Sequence, residues 1–218
     1  MKLLTHLTTT AFIFTATNSF AHSLNDWTLE TEGPSFEVYS KESQDKRYEI
    51  LARADVQTSL GAFLALMQDA ERAPDWVANC KKIMVQTSSS GLDAIVHSYY
   101  DAPWPVKDRD MVTKTHIHLD DDQQGYTVSV SDLGQDIPKS VGYIRIQNVE
   151  GAWDVRQLEG DFVRVTYQGS GNPAGNLPQW VTNDLLVQST SETFEQMTQL
   201  LREDQYRNAS TLALLQHP

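Results

Sequence analysis

Residues 101–112 read DAPWPVKDRDMV, and they separate two runs in which apolar and polar residues alternate. Pro103 and Pro105 cannot donate backbone hydrogen bonds, and each holds the preceding residue in an extended conformation. The sequence therefore predicts that one strand ends here and that a stiff link leads to a second strand near Arg109. We expect this link to aim Trp104 into the core or onto the rim of a cavity.

The second strand begins with two charged neighbours that must point to opposite faces of a sheet, Arg109 and Asp110. The more apolar face carries every second residue after Arg109: Met111, Thr113, Thr115, Ile117 and Leu119. Arg109 therefore faces inward, where a guanidinium is costly unless it is paired. Two roles remain open for it: half of a buried ion pair, or the receptor for the polar or anionic head of a ligand.

The long central part of the chain, residues 80–169, predicts a sheet. Apolar residues recur at every second position, and short clusters of Gly, Asp and Ser interrupt the runs. Strands joined by such short turns are antiparallel neighbours. With the alternating pair at 36–41 and 46–56, the pattern predicts one antiparallel meander of about nine strands.

Helical periodicity appears on both sides of this predicted sheet. Residues 59–76 place apolar side chains three and four apart, with Thr58 or Ser59 as the N-cap and Pro74 marking the end. A second helix is predicted from Asn176 as N-cap, with Pro178 in its first turn. Its apolar stripe consists of Leu177, Val181, Leu185, Gln188, Phe194, Met197, Leu200 and Leu201. We also expect a short helical lead over residues 25–32.

These elements predict an α+β fold in which a curved antiparallel sheet packs around a long C-terminal helix. A twisted sheet of this size curls rather than staying flat. A curled sheet crossed by one helix need not fill the space between them, so an internal cavity is expected.

Two segments resemble the steroidogenic acute regulatory protein-related lipid transfer (START) domain family. PWPVKDRDMV resembles the family's Pro-Trp-Pro then Arg-Asp pattern, and NPAGNLPQWVTNDL follows about seventy residues later. The second segment matches the entry into the last helix at Pro178, Trp180, Val181 and Asn183. The resemblance covers roughly residues 25–203. It implies a helix-grip fold with a tunnel for one lipid or similar hydrophobic molecule and, in most members, no catalysis.

From the alternation and the resemblance together, we expect a ligand-binding cavity lined by a mixture of aromatic, aliphatic and arginine side chains. The expected lining residues are Trp104, Arg109, Met111, Tyr143, Arg145, Val165, Tyr167, Trp180 and Val181. No cofactor, metal ion or catalytic residue is expected. The expected partner is a hydrophobic small molecule, a lipid in our interpretation, with transient membrane contact.

Other functions compete with this interpretation. His116, His118 and Asp120 share one face of a predicted strand and could form part of a metal site, although an exposed polar face is the simpler interpretation. Enzyme motifs such as Gly-x-Ser-x-Gly do not occur in the sequence. An enzyme acting on a hydrophobic substrate in the same cavity, or an adaptor with a filled core, therefore remain as alternatives.

Composition excludes some classes of partner. The formal net charge of −12 and the isoelectric point near 4.8 argue against a nucleic-acid partner and against permanent docking on an anionic membrane. Cys80 is the only cysteine, so no intramolecular disulfide forms. We expect this thiol to be buried and inert.

The N-terminus has the layout of a secretory signal peptide. Residues 1–21 contain an early Lys2, an apolar stretch, and Ser19 and Ala21 at the −3 and −1 positions of a cleavage site. We expect export to the periplasm or secretion, a START-like domain over residues 22–208, and a frayed tail over 209–218.

Overall fold

The computed structural model describes residues 24–43, 47–102 and 104–211. Its ten strands form one sheet: β1 (Thr28–Glu32), β2 (Phe36–Glu42), β3 (Tyr48–Gln57), β4 (Cys80–Thr87), β5 (Asp93–Tyr100), β6 (Arg109–Leu119), β7 (Gly125–Asp132), β8 (Ile144–Arg145), β9 (Gln147–Gln157) and β10 (Phe162–Asn172). The helices are α1 (Ala62–Gln68), α2 (Ala73–Trp76), α3 (Gln179–Leu200) and α4 (Asp204–Arg207). The predicted leader over residues 1–21 lies outside the described residues.

The sheet is antiparallel except at one short strand. Its order is β1-β2-β3-β10-β9-β7-β6-β5-β4, and β8 pairs in parallel with β6. Strands β4 to β7, β9 and β10 form the predicted meander, whereas β3 joins them through β10. The curved sheet gripping a long C-terminal helix confirms the predicted fold class.

Two assignments made from the sequence were wrong. Residues 25–32 were expected to be helical, but Thr28–Glu32 forms the edge strand β1, paired with β2. Gly151 was taken as one of the glycines that interrupt the alternating runs of residues 80–169, but it lies inside the single strand β9 opposite Gly169. A side chain there would bring its Cβ within 2.8 Å of the Gln168 carbonyl oxygen, so this glycine permits close strand approach rather than a turn.

The shorter predicted helix is divided into α1, a 3-10 turn and α2. Neither predicted N-cap residue caps it. The Thr58 hydroxyl donates to the Leu201 carbonyl at 2.7 Å, and the Ser59 hydroxyl donates to the Ala209 carbonyl at 2.8 Å. These two hydroxyls instead attach the C-terminal segment to the start of α1. Pro74 lies in the first turn of α2, where its missing N–H costs nothing.

Helix α3 has two halves with different surroundings. Its second half enters the core, where Phe194, Met197 and Leu200 are buried beside the residues of α1. In the first half, by contrast, Val181 and Leu185 are half-buried, and Gln188 is exposed. The helix begins at Gln179 after an extended Pro178, so Asn176 is not its N-cap as predicted.

The inner face of the sheet likewise has a densely packed end and a less filled end. At one end, large side chains such as Phe63, Tyr126 and Phe194 fill the space between sheet and helices. At the other end the inner face carries small or β-branched residues, among them Ser98, Thr113 and Gly169. The core therefore closes one end of the fold and leaves room at the other.

On the outer face of β6, Asp110 is fully buried and lies at the centre of a polar network. The Arg145 guanidinium donates to both of its carboxylate oxygens, at 2.9 and 2.7 Å. The Ser140 hydroxyl donates to the same carboxylate at 2.7 Å. His97 Nε2 lies 2.9 Å from it and carries the proton, because a carboxylate can only accept.

This network holds the loop between β7 and β8. Besides Asp110, the Arg145 guanidinium binds the backbone carbonyls of Gly134, Ile137 and Pro138. Burial alone raises the pKa of Asp110, but the hydrogen bonds from Arg145, His97 and Ser140 outweigh it and lower the pKa to about 2. The carboxylate therefore stays ionised, and its charge is neutralised by Arg145.

We predict that this pair makes the protein sensitive to acid. Because the Asp110 pKa is lower in the folded than in the unfolded chain, its contribution of about 2 kcal/mol is present above pH 4. The contribution is lost as the pH falls from about 4 to about 2. Asp110→Asn should lower the free energy of unfolding at pH 7 by about 3–5 kcal/mol, since the Arg145 charge is left buried and unpaired.

The measurement is urea unfolding at pH 7 and pH 3, with Asp55→Asn as control. Asp55 forms an exposed pair with Arg164, with both oxygens at 2.7 Å, so its loss should cost at most about 1 kcal/mol. Equal losses for the two variants would contradict the assigned role of Asp110.

Candidate functional site

A pocket of about 760 Å³ lies between the inner face of the sheet and α3. Its walls come from β4, β5 and β6 on one side and from the first half of α3 on the other. Apolar side chains dominate these walls, including Ile83, Val85, Val96, Met111, Leu185 and Leu186. The volume falls in the range of pockets that hold one small organic ligand.

Strand β6 supplies one wall of the pocket through alternate residues. Arg109, Met111, Thr113, Thr115 and Ile117 all line it. Alternation in the sequence predicted this inward face, and Arg109 lies on it. Across the strand pair, Arg109 lies opposite Tyr100, which also lines the pocket.

Arg109 places a guanidinium at one end of the pocket, with a fractional exposure of 8%. It donates to the Lys107 carbonyl and, over a long 3.4 Å, to the Ala174 carbonyl. Burial lowers the pKa of Arg109, and the nearby Asp108 charge opposes that shift. Within the described part of the chain no ion pair joins Arg109 to a carboxylate, because Asp108 binds Lys81 and Asp110 binds Arg145. Of the two roles that the sequence left open, the structure thus disfavours the ion pair.

Aromatic rings form the opposite end of the pocket. The Trp153 ring lies 4.6 Å from Tyr167, 5.9 Å from Phe194 and 6.4 Å from Trp76, measured between ring centroids. All four rings line the pocket, and Phe194 is also part of the core. They therefore form the boundary at which the packed core ends and the pocket begins.

Two half-buried tyrosines, Tyr100 and Tyr167, line the pocket walls. Burial raises the pKa of Tyr167 to about 12, and it raises the pKa of Tyr100 as well. Both phenols therefore stay protonated at neutral pH. They can donate hydrogen bonds to a ligand but do not act as bases there.

Of the nine residues expected to line the cavity, the structure brings three to the pocket: Arg109, Met111 and Tyr167. The other six lie elsewhere: Trp104, Tyr143, Arg145, Val165, Trp180 and Val181.

Both motif tryptophans point away from the pocket. Trp104 is 92% exposed in the loop between β5 and β6, where Val106 rather than Trp104 faces inward. Its neighbour Pro103 lies outside the described residues. Trp180 is 68% exposed. The side of α3 that faces the pocket carries Thr182 and Leu186, and Trp180 does not lie on that side.

Tyr143 and Arg145 lie on the outer side of the sheet. Arg145 is held there by its ion pair with Asp110, which faces outward because Arg109 faces inward. The Tyr143 ring packs edge-on against Tyr99, with 5.1 Å between the centroids. Neither side chain can therefore reach a ligand in the pocket.

Val165 and Val181 do not line the pocket, for reasons that differ from those above. Val165 precedes Tyr167 by two residues on the same face of β10, where the core is fully packed. Val181 lies in the first turn of α3, half-buried and outside the pocket-facing side of the helix.

Sequence reasoning missed most of the wall formed by β4 and β5. Val96, Ser98 and Tyr100 face inward on β5, and Ile83 and Val85 do so on β4. The available signal was the cross-strand register: once Arg109 points inward, its partner Tyr100 and the alternate residues of β5 do too. That register depends on the length of the 101–108 loop, which periodicity does not give.

Two of the three residues considered for metal binding, His116 and Asp120, have other partners. His116 Nδ1 lies 3.1 Å from the Asp93 carboxylate, and Asp120 is bound by Arg156. Within the described residues, no group of three or more His, Cys, Asp or Glu side chains is arranged to hold a metal ion. Cys80 is half-buried, and burial raises its pKa to about 11, which keeps the thiol protonated.

Comparisons with known proteins agree with this architecture. The START domain family model matches residues 20–207. An uncharacterized protein of Pseudomonas aeruginosa is 27% identical over 174 residues, which make up 78% of this chain and 84% of that protein.

Solved structures with the same fold include bacterial and human proteins. A fragment of a STAR-related lipid transfer protein from Xanthomonas axonopodis superposes with a TM-score of 0.74 at 23% identity, covering 82% of this chain and 100% of that one. Human STARD10 gives a TM-score of 0.69 at 16% identity, covering 81% of this chain and 73% of that one. Since the family model spans most of the sequence, this chain belongs to the START domain family.

Proposed function

We propose that the protein binds one hydrophobic small molecule, a lipid or lipid-like compound, in the pocket between the sheet and α3. The observation that carries this proposal is the 760 Å³ pocket with its mainly apolar walls. Membership of the START domain family and the likeness to lipid transfer proteins support it. A space of this size also argues against the alternative of an adaptor with a filled core.

Binding of this kind needs no chemical step. Transferring apolar surface from water into the pocket contributes about 25 cal/mol for each Å². The hydroxyl and guanidinium groups on the walls supply orientation rather than catalysis. Tyr100 and Tyr167 remain protonated, and no acid–base pair lines the pocket near Arg109 in the described part of the chain. We therefore propose a binding and transfer protein rather than an enzyme.

The ligand would lie with its apolar part against the aromatic rings and its polar head near Arg109. The rings of Trp153 and Phe194 offer apolar surface at the closed end. Arg109, whose hydrogen-bond partners in the described part of the chain are backbone carbonyls, offers N–H donors at the other. This polarity along the pocket matches an amphiphilic molecule better than a uniformly apolar one.

Filling the pocket should abolish binding without unfolding the protein. Thr113→Phe introduces a large ring on the inner wall, in space that the native protein leaves open. Lys114→Phe is the matched control, because its side chain leaves the same strand on the outer face. We expect a fluorescent fatty acid to bind the native protein and the control variant but not Thr113→Phe. Unchanged affinity in Thr113→Phe, with an unchanged melting temperature, would overturn the assignment of the pocket as the binding site.

Removing the Arg109 charge should weaken binding of ligands with an anionic head. Arg109→Gln should lower the affinity for a fluorescent fatty acid roughly tenfold to a hundredfold, since a hydrogen bond to a charged group is worth about 1.5–3 kcal/mol. The methyl ester of the same probe should bind both forms equally well. Arg164→Gln is the control, because Arg164 is paired with Asp55 away from the pocket. An equal loss of acid and ester would contradict a head-group role for Arg109.

We also propose that the protein is exported to the periplasm or secreted after removal of residues 1–21. The layout of the N-terminal segment, with Ser19 and Ala21 before the cleavage site, supports this. The described residues contain no helix that is both long and apolar enough to cross a membrane. N-terminal sequencing of the protein from fractionated cells of its own host should find His22 as the first residue. Full-length protein in the cytosolic fraction would refute export.

A further inference from the structure

The sheet ends in two edge strands, β1 and β4, which differ in how they are protected. An edge strand carries unpaired backbone groups that can pair with another chain, and short length, charged side chains or a bulge prevent this. Strand β1 has all three, since it has five residues, carries Glu30 and Glu32, and shifts its register between Leu29 and Thr31. Strand β4 has eight residues, and its lysines and register shift are confined to residues 80–82.

The rest of β4 and the turn after it carry no charge. Residues 83–92 read IMVQTSSSGL, ten uncharged residues in a chain whose formal net charge is −12. Met84 is 48% exposed and Val85 is 39% exposed, and Gln86 and Thr87 are exposed as well. Repulsion between two copies of an acidic protein is weakest where neither copy presents a charge. This edge therefore offers apolar surface to a second copy at little electrostatic cost.

The backbone of β4 alternates between groups that bond to β5 and groups that point away from the sheet. The Ser88 amide donates to the Asp93 carbonyl at 2.8 Å, so the backbone groups of Ser88 point toward β5. Successive residues of a strand point in opposite directions, so the N–H and C=O groups of Ile83, Val85 and Thr87 point outward. Among the residues that the structure describes, β4 pairs with β5 alone, and no hydrogen bond reaches these three amides.

A second copy of the chain can pair with this edge in a register that uses all three outward residues. When Val85 lies opposite its own counterpart, Ile83 lies opposite Thr87, and about six backbone hydrogen bonds form. The same register sets Met84 opposite Gln86, so no like charges face each other there. A shift by two residues would lose about two of those hydrogen bonds. The edge is therefore self-complementary in one preferred register.

We propose that two copies of the chain pair antiparallel through the outer edge of residues 83–87, here called the β4 edge. The pairing joins two ten-stranded sheets into one continuous sheet about a two-fold axis. It covers the exposed side chains of Met84 and Val85 and satisfies the outward backbone groups. Because β1 is protected by its glutamates and its bulge, the assembly stops at two copies.

This pairing also affects the wall of the pocket. Ile83, Val85 and Thr87 line the pocket from β4. A two-fold axis perpendicular to the sheet keeps the inner faces of both copies on the same side, so the two pockets lie side by side. The second strand then covers the exposed flank of Val85. The pairing itself does not depend on the proposed function, since none of its contacts involves a ligand.

The first test is sedimentation velocity of the purified protein at concentrations from micromolar to millimolar. We expect a monomer–dimer equilibrium with a dissociation constant in the micromolar range or weaker. One pair of edge strands buries less than the roughly 1,600 Å² of a standard interface, so the dimer is weak. A native protein that stays monomeric over this whole range would refute the proposal.

Charge substitutions on the outer face of β4 test the register without touching the pocket wall. Met84→Lys with Gln86→Lys sets like charges opposite each other twice and should weaken the dimer about tenfold or more. Met84→Glu with Gln86→Lys sets opposite charges there instead, so its dimer should be at least as stable as the native one. Leu29→Lys with Val141→Lys is the control, because it makes the same change in net charge as the double lysine variant, at exposed positions away from β4. This control should dimerise as the native protein does.

Three results would contradict the β4 edge. Equal dimerisation of the double lysine variant and the control would place the interface elsewhere. Equal weakening of the two Met84 variants, at unchanged melting temperature, would exclude the register and with it the proposal. The proposal is also wrong if the chain alone is monomeric and another protein of the host binds the edge, with that binding lost in the double lysine variant.

Amide hydrogen exchange of the native protein provides a second test. Exchange at the outward amides of Ile83, Val85 and Thr87 should slow as the protein concentration rises, because the second copy binds them. Exchange at Met84 and Gln86 should change less, because these amides already bond to β5. If the three outward amides exchange at the same rate in monomeric and dimeric samples, the dimer does not form through this edge.

Discussion

The alternation of Arg109 and Asp110 along β6 is the constraint on which the functional end of the molecule depends. Adjacent strand residues face opposite sides of a sheet, so one charge must enter the inner face and the other must leave it. On the outer side Arg145 neutralises Asp110 and at the same time holds three carbonyls of the loop before β8. Because that carboxylate is already paired, the inner guanidinium forms no ion pair with a carboxylate among the residues that the structure describes. One ion pair thus orders the loop and leaves Arg109 facing the pocket.

The pocket itself results from an uneven distribution of side-chain volume. Large residues such as Phe63 and Phe194 pack the space between the sheet and the second half of α3. Beyond Trp153, the inner face changes to Ser98, Thr113 and Gly169, which cannot reach the first half of the helix. The dense end stabilises the fold, so the other end can stay open. The packed core that stabilises the fold and the open pocket therefore lie at different ends of the same sheet and helix.

Prediction of a side chain's direction was possible where that direction follows from its own strand. Arg109 and Met111 were placed by alternation in β6, and the structure has both on the pocket wall. It failed where direction depends on a neighbouring element. Arg145 was expected inside, but its partner Asp110 draws it to the outer side. Trp180 was expected to line the cavity, but its orientation depends on where α3 begins, and α3 begins at Gln179 rather than after Asn176.

The sequence by itself determined the central antiparallel sheet, the long last helix and the family, because periodicity and short motifs are local properties of the chain. Only the tertiary structure decided that Gly151 lies within a strand, that Trp104 faces solvent, and which side chains of β4 and β5 form the wall. These features depend on strand register and on the packing of distant segments. A one-residue change in register would reverse every side chain of a strand, and no local pattern fixes that choice.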